Sequence, residues 1–186
     1  MRRWGASDVA ARAAELGLIY AEAYRDPPYH EGERETAAFL QHLPKQPDQP
    51  GFAMVVAEAP DGHACGFAFG FTFEPGTWWK PDAHEPDIVR HAQRFAVMEL
   101  AVRPAFHGRG IATALMTDLL SDRPEPFATL CANPQAVARQ IYAAWGWEQA
   151  GTVNPPEVGP MDVMLKRLPR PDSVLPTRSS PRKRWQ

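Results

Sequence analysis

Phe95-Ala96-Val97-Met98-Glu99-Leu100-Ala101-Val102-Arg103-Pro104-Ala105-Phe106-His107-Gly108-Arg109-Gly110-Ile111-Ala112 decides how the rest of the chain is read. Residues 95–103 are mostly apolar and have the length of a buried strand. Residues 110–120 follow with helical spacing, so the strand runs through a glycine turn into a helix N-terminus. The first amides of a helix lack internal partners and together carry about half a positive charge, which lets such a turn cradle a diphosphate. Gly108 and Gly110 have no Cβ to hold a ligand off the backbone, and Ala112 is small. A dinucleotide fingerprint would need a third glycine and an acid about 20 residues on, and a P-loop would need Gly-Lys-Ser/Thr. Neither is present. Two glycines before a helix also suit a plain tight turn, so the neighbouring sequence has to decide.

Downstream, a strand at 127–132, a helix at 135–145 and strands at 147–153 and 161–168 continue the alternation of an α/β core. Upstream, Val9, Ala13, Leu16, Ile19 and Ala23 recur at helical spacing and predict a first helix over 8–24, capped by Ser7 or Asp8 and ended by Pro27-Pro28. A second helix is expected over 32–43, stopped by Pro44. Residues 52–58 and 64–73 read as a hairpin around Pro60-Asp61-Gly62. Residues 74–90 carry Trp78, Trp79 and three prolines without a period, which predicts a long functional loop with at most a short helix.

The 186 residues suit one domain over 1–168 and a tail over 169–186, whose Pro, Arg, Ser and Lys content predicts disorder. Hydrophobic residues make up 44% and charged residues 23%, and no apolar run reaches the roughly 20 residues that cross a bilayer, so a cytoplasmic protein off the membrane is expected. Cys65 and Cys131 lie in apolar runs without metal-ligand spacing and are expected as buried thiols, with no metal site. The net charge of −2 hides a basic tail on a more acidic domain. That balance gives no general affinity for nucleic acid and mildly favours a cationic substrate.

Two blocks carry a resemblance. His107-Gly108-Arg109-Gly110-Ile111-Ala112 resembles the acetyl-CoA signature of GNAT N-acetyltransferases, Gln/Arg-x-x-Gly-x-Gly/Ala after a strand ending in Val-x-Pro, with His107 at the position of the usual Gln or Arg. Residues 133–147 resemble the family's strand-to-helix segment ending in Tyr-x-x-x-Gly-Phe, with Trp147 for Phe. The resemblance spans 52–168. It implies an α/β fold with a single mixed, splayed β-sheet and helices on both faces, and transfer of an acetyl group from acetyl-CoA to the primary amine of a small molecule by direct attack in a ternary complex. A protein or peptide acceptor, or a non-catalytic acyl-CoA sensor, is the alternative. Relatives commonly open with a strand before the first helix; none is expected here, so the sheet should begin one strand short. Relatives often form homodimers.

The resemblance also implies roles. Backbone groups of Leu100, Ala101 and Val102 would pair with the pantetheine arm, and the turn from His107 through Thr113 would hold the diphosphate. Asn133 would bond the arm, or simply cap the next helix. Tyr142 would protonate the departing thiolate, since a phenol has a pKa of about 10. Glu99 is the candidate base, a charge on a half-buried strand, with Glu74, His84, Glu85, Asp87 and His91 as rivals from the long loop. Trp78 and Trp79, together with Tyr24 and Tyr29 from the loop after the first helix, are candidate walls of an acceptor pocket for a cation.

Overall fold

The computed structural model describes residues 1–80, 83–156 and 158–169, so all but the first residue of the basic tail lies outside the described residues. In chain order the elements are β1 (Arg2–Trp4), α1 (Ala6–Ala11), α2 (Ala13–Tyr24), α3 (Glu33–His42), β2 (Ala53–Glu58), β3 (Ala64–Phe73), α4 (Asp87–Arg90), β4 (Arg94–Val102), α5 (Ile111–Leu120), β5 (Phe127–Ala132), α6 (Val137–Ala144), β6 (Glu148–Val153) and β7 (Met161–Arg167). The seven strands form a single sheet in the order β1-β2-β3-β4-β5-β7-β6. Among the described residues only the β4–β5 pair is parallel, and the other strand pairs are antiparallel. Among the described residues no helix is long and apolar enough to cross a membrane.

Two expectations need correction at the N-terminus. The sheet does not start a strand short, because Arg2, Arg3 and Trp4 pair with Val56, Val55 and Met54. Three residues are too few to show a period of two. This strand is held by one buried side chain, Trp4, and by arginines that reach Glu58 and Asp118. The single helix expected over 8–24 is two, interrupted at Arg12, which leaves helical geometry at φ −119° and ψ 21°. Its guanidinium sits 4.4 Å from the centre of the Trp4 ring and bonds Glu15 and Glu58, tying the break to the new edge strand.

Side chains alternate across the sheet. Val55 and Ala57 of β2, with Phe95 and Val97 of β4, pack on Leu115, Met116 and Leu119 of α5. Met54 and Val56 face the other way, onto Leu16 and Ile19 of α2. Within β4 the alternation is broken once. Phe69 pairs with Glu99 and the next residue, Gly70, pairs with Val97, leaving Met98 as an extra residue in a β-bulge. One extra residue moves every later side chain to the other face. Residues 95 and 97 point to α5, yet past the bulge it is Leu100 and Val102 that join that core, while Ala101 packs with α2. Glu99 therefore faces α2.

The second irregularity is a splay. β4 pairs with β5 only through Arg94, Phe95 and Ala96, opposite Phe127, Ala128 and Thr129. Beyond that point β5 pairs with β7 alone and β4 with β3 alone, so a gap opens between them.

Arg94 anchors the base of this wedge. Its side chain has no exposed surface. It donates to the carbonyls of Val89 (2.6 Å), Ala92 (2.7 Å) and Thr77, and pairs with Glu85 at 2.7 Å, gathering the 74–93 loop around one cation. Removing it leaves a carboxylate and several carbonyls unpaired in a half-buried setting. Arg94→Met should cost roughly 3–5 kcal/mol, as breaking buried ion pairs does. Urea unfolding followed by circular dichroism measures this, and a loss below about 1 kcal/mol would mean that the loop is held by other contacts.

Candidate active site

A cavity of about 950 Å³ is built around the splay. Leu100 and Val102 of β4 line it, as do Gly108, the start of α5 through Thr113, and Tyr142 of α6. Tyr24 and Tyr29 complete it from α2 and the loop that follows.

The glycine turn is built as its composition suggests. Gly108 and Gly110 sit at φ 72° and 76°, a region that residues with a Cβ avoid. Apart from each glycine and its chain neighbours, no atom of the described residues lies within 4 Å of where a Cβ would stand at either position, so their bare side opens to free space. Gly110 is the N-cap of α5, and no side chain caps this end. The first backbone bond of the helix runs from the Ala114 amide to the Gly110 carbonyl at 3.0 Å, leaving the preceding N–H groups for a ligand. His107 lines the cavity, but its Nε2 lies 2.8 Å from the Val102 carbonyl. A carbonyl only accepts, so Nε2 carries the proton and the ring is tied to the end of β4. Arg109 rests its guanidinium on the ring of Phe106, a lining residue, 5.2 Å from its centre, and does not itself line the cavity.

Glu99, turned toward α2 by the bulge, accepts a short hydrogen bond from the Tyr24 hydroxyl, which also lies 3.3 Å from the Leu100 carbonyl. Burial is the main cause that pushes the Glu99 carboxyl up, to about 7; the nearby Glu31 carboxylate adds to this, and the Tyr24 bond offsets part of it. Tyr24 itself is pushed well up by burial and by Glu99. Burial also raises Tyr142, helped by Tyr29 and Glu99, so its phenol stays protonated at neutral pH. The Tyr142 ring meets Trp145 and Trp147 at 5.8 and 6.2 Å between centres.

Other candidates lie elsewhere. The Asn133 side-chain oxygen accepts from the Gln135 amide at 2.9 Å, the turn-capping arrangement, and the residue is not on the cavity wall. Ala101 is buried beneath the site. Trp79 donates from its indole to Thr129 on β5 at 3.0 Å and packs on Phe73, and Trp78 lies against Arg94; both are outside the cavity lining. Of the loop acids, Glu85 serves Arg94, Asp87 pairs with Arg90, and Glu74 accepts from Gln93. His84 and His91 do not line the cavity either. Both cysteine thiols are raised by burial, with Cys131 pushed up to about 12. Among the described residues no cluster of His, Cys, Asp and Glu could hold a metal.

Several lining residues were not anticipated, among them Ala138, Val137 and Ile141. A signal for the last two existed. They are large apolar residues one helical turn apart that the core leaves exposed, at 71% and 39%.

Residues 88–156 match the acetyltransferase (GNAT) domain family. Over that segment, less than half of the chain, the sequence is similar to the GNAT acetyltransferases. No curated protein matches it in sequence, but the GNAT fold recurs among solved structures. A protein of Desulfovibrio desulfuricans assigned to the GNAT acetyltransferases is 14% identical, with a TM-score of 0.64 over 89% of this chain and 96% of that one. The PaiA N-acetyltransferase of Thermoplasma acidophilum, solved with coenzyme A, is 12% identical, with a TM-score of 0.60 over 90% and 99%. Arylalkylamine N-acetyltransferase 2 of Aedes aegypti is 15% identical, with a TM-score of 0.60 over 90% and 99%. Gly110→Ala should strain the turn by about 1–2 kcal/mol and set a methyl group toward the free amides. Losing one amide–anion bond, about 1.5 kcal/mol, weakens coenzyme A binding about tenfold. Titration calorimetry against the unchanged protein reads this; equal affinities would remove the turn from the binding site.

Proposed function

We propose that the chain is an acetyl-CoA-dependent N-acetyltransferase acting on the primary amine of a small, cationic molecule by direct attack in a ternary complex. The observation that carries this reading is the grouping around one cavity of three things: free amides at a helix start, a carboxyl whose pKa stands near 7, and a protonated phenol. The α5 amides, with Gly108 and Gly110, hold the diphosphate of the donor. Its pantetheine arm lies along β4 in the splay and pairs with backbone groups of Leu100 to Val102 that lack a partner strand on that side.

An ammonium has no lone pair, so the acceptor must first lose a proton, which ends on Glu99. The neutral nitrogen attacks the thioester carbon and the carbonyl electrons move to oxygen. A β4 backbone amide steadies that oxyanion, and the intermediate collapses by breaking the C–S bond. Tyr142 gives its proton to the leaving sulfur. Among the described residues that line the cavity there is no Lys or Arg, and Asp26 supplies a negative charge, which suits a cationic amine.

Release of free thiol from acetyl-CoA with a panel of amines tests the reading. Turnover on small amines is expected; turnover only on peptide amines would replace the acceptor class, and binding without turnover would make the chain a sensor. Below pH 7 Glu99 holds a proton and cannot take another, so kcat should rise with pH to a plateau above about 7, and Glu99→Gln should abolish that limb. Tyr142→Phe should lower kcat about 100-fold with little change in KM. An unchanged kcat takes Tyr142 out of the mechanism.

A further inference from the structure

The carboxylate assigned as base is not itself on the cavity wall. Tyr24 lines the cavity and Glu99 does not, and the only side-chain hydrogen bond described for Glu99 comes from the Tyr24 hydroxyl. A phenol donates one proton and keeps lone pairs for others. With its proton committed to Glu99, the Tyr24 oxygen keeps those lone pairs for a donor arriving from the cavity that Tyr24 lines.

The surroundings hold this phenol in place. The Tyr24 ring is flanked by Tyr20 at 4.8 Å and by Tyr29, edge-on, at 4.9 Å. Tyr20 lies one helical turn earlier on α2 and is fixed in turn by its bond to Glu31 (2.5 Å) and by stacking on Phe39 at 4.4 Å. The Glu31 amide bonds the Tyr24 carbonyl at 3.0 Å, pinning the loop that brings Tyr29 to the cavity.

We propose that Tyr24 is a catalytic proton relay, the group that touches the acceptor's ammonium and connects it to Glu99. The proposal rests on the acetyltransferase reading above. In the step, an N–H bond of the ammonium breaks as a new O–H bond forms on Tyr24, and the original phenolic proton moves to the Glu99 carboxylate. The products are a neutral amine, a neutral phenol and a carboxylic acid. No phenolate accumulates, which agrees with the protonated state that burial imposes on this side chain. The groups facing Glu99 are Tyr20 and Tyr24 from α2, Tyr29 and Glu31 from the loop, and Tyr142 from α6. None of them is a cation, so the proton has no rival positive charge on its path.

Tyr24→Phe keeps the ring and removes only the relay. At pH 7 its kcat should fall about 100-fold, the usual reach of one acid–base group, while the amine KM stays within threefold and the calorimetric Kd for coenzyme A is unchanged. The deficit should shrink as pH rises, because an amine that arrives already neutral needs no relay. Tyr24→Phe combined with Glu99→Gln should be no slower than Glu99→Gln alone, as two members of one path are not additive. A wild-type kcat in Tyr24→Phe, a defect confined to the amine KM, or additive losses would each overturn the relay. Absence of turnover in the unchanged protein on every amine would instead remove the acetyltransferase reading, and the relay with it.

Discussion

Backbone N–H and C=O groups taken out of water must find partners, and at two places in this domain no neighbouring strand or helical turn supplies them. One set belongs to β4 after Ala96, where β5 has turned away. The other belongs to the first turn of α5, where no side chain caps the helix. Both face one cavity. A ligand that satisfies them must be extended and amide-bearing along the strand and anionic at the helix, a combination that an acyl-coenzyme A supplies in one molecule. On the proposed reading, this backbone constrains the ligand more tightly than any single side chain does.

The bulge at Met98 decides which face of the sheet carries Glu99. An unbroken β4 would carry residue 99 on the same face as Phe95 and Val97, in the apolar core beneath α5. There a carboxylate would meet only hydrocarbon, and its charged form would be heavily disfavoured. The inserted residue rotates Glu99 onto the α2 face, beside the Tyr24 phenol. It also restores Leu100 and Val102 to the core side, so the cost in packing is limited to Met98 itself, which is left partly exposed.

Much of this was legible in the residues. The apolar run, the two glycines and the helical spacing after them fix the strand, turn and helix of the site within a residue or two, because each element has its own local chemistry. The later alternation of strands and helices is legible for the same reason. What was not legible depends on contacts distant in sequence. β1 is three residues held by a tryptophan and by arginines that reach β2 and α5, and Arg12 breaks the first helix to reach Glu58, 46 residues away. A bulge has no compositional mark in Val97-Met98-Glu99, so the face of Glu99 could not be read. Trp78 and Trp79 resemble pocket aromatics in composition, yet Arg94 and Thr129 hold them at the other end of β4.

The Glu99 carboxyl also bears on stability, and the sign is informative. Its folded pKa of about 7 stands above the ordinary value of 4.5, so between those values the native state binds more protons than the unfolded chain. By linkage, its contribution to stability is fully present below the unfolded value and is lost as pH rises through the folded one. At and above neutral pH the ionised group therefore works against folding. A glutamine of the same shape would avoid that cost, and so would an apolar residue packed on α2. A charge that the fold bears at a loss, next to a phenol on a cavity wall, favours the proposed role in proton transfer over one in packing. The same reasoning separates Glu99 from Glu125, which is also buried but is held below the ordinary carboxylate range, despite the opposing effect of burial, by Arg123 and Thr72 and belongs to the scaffold.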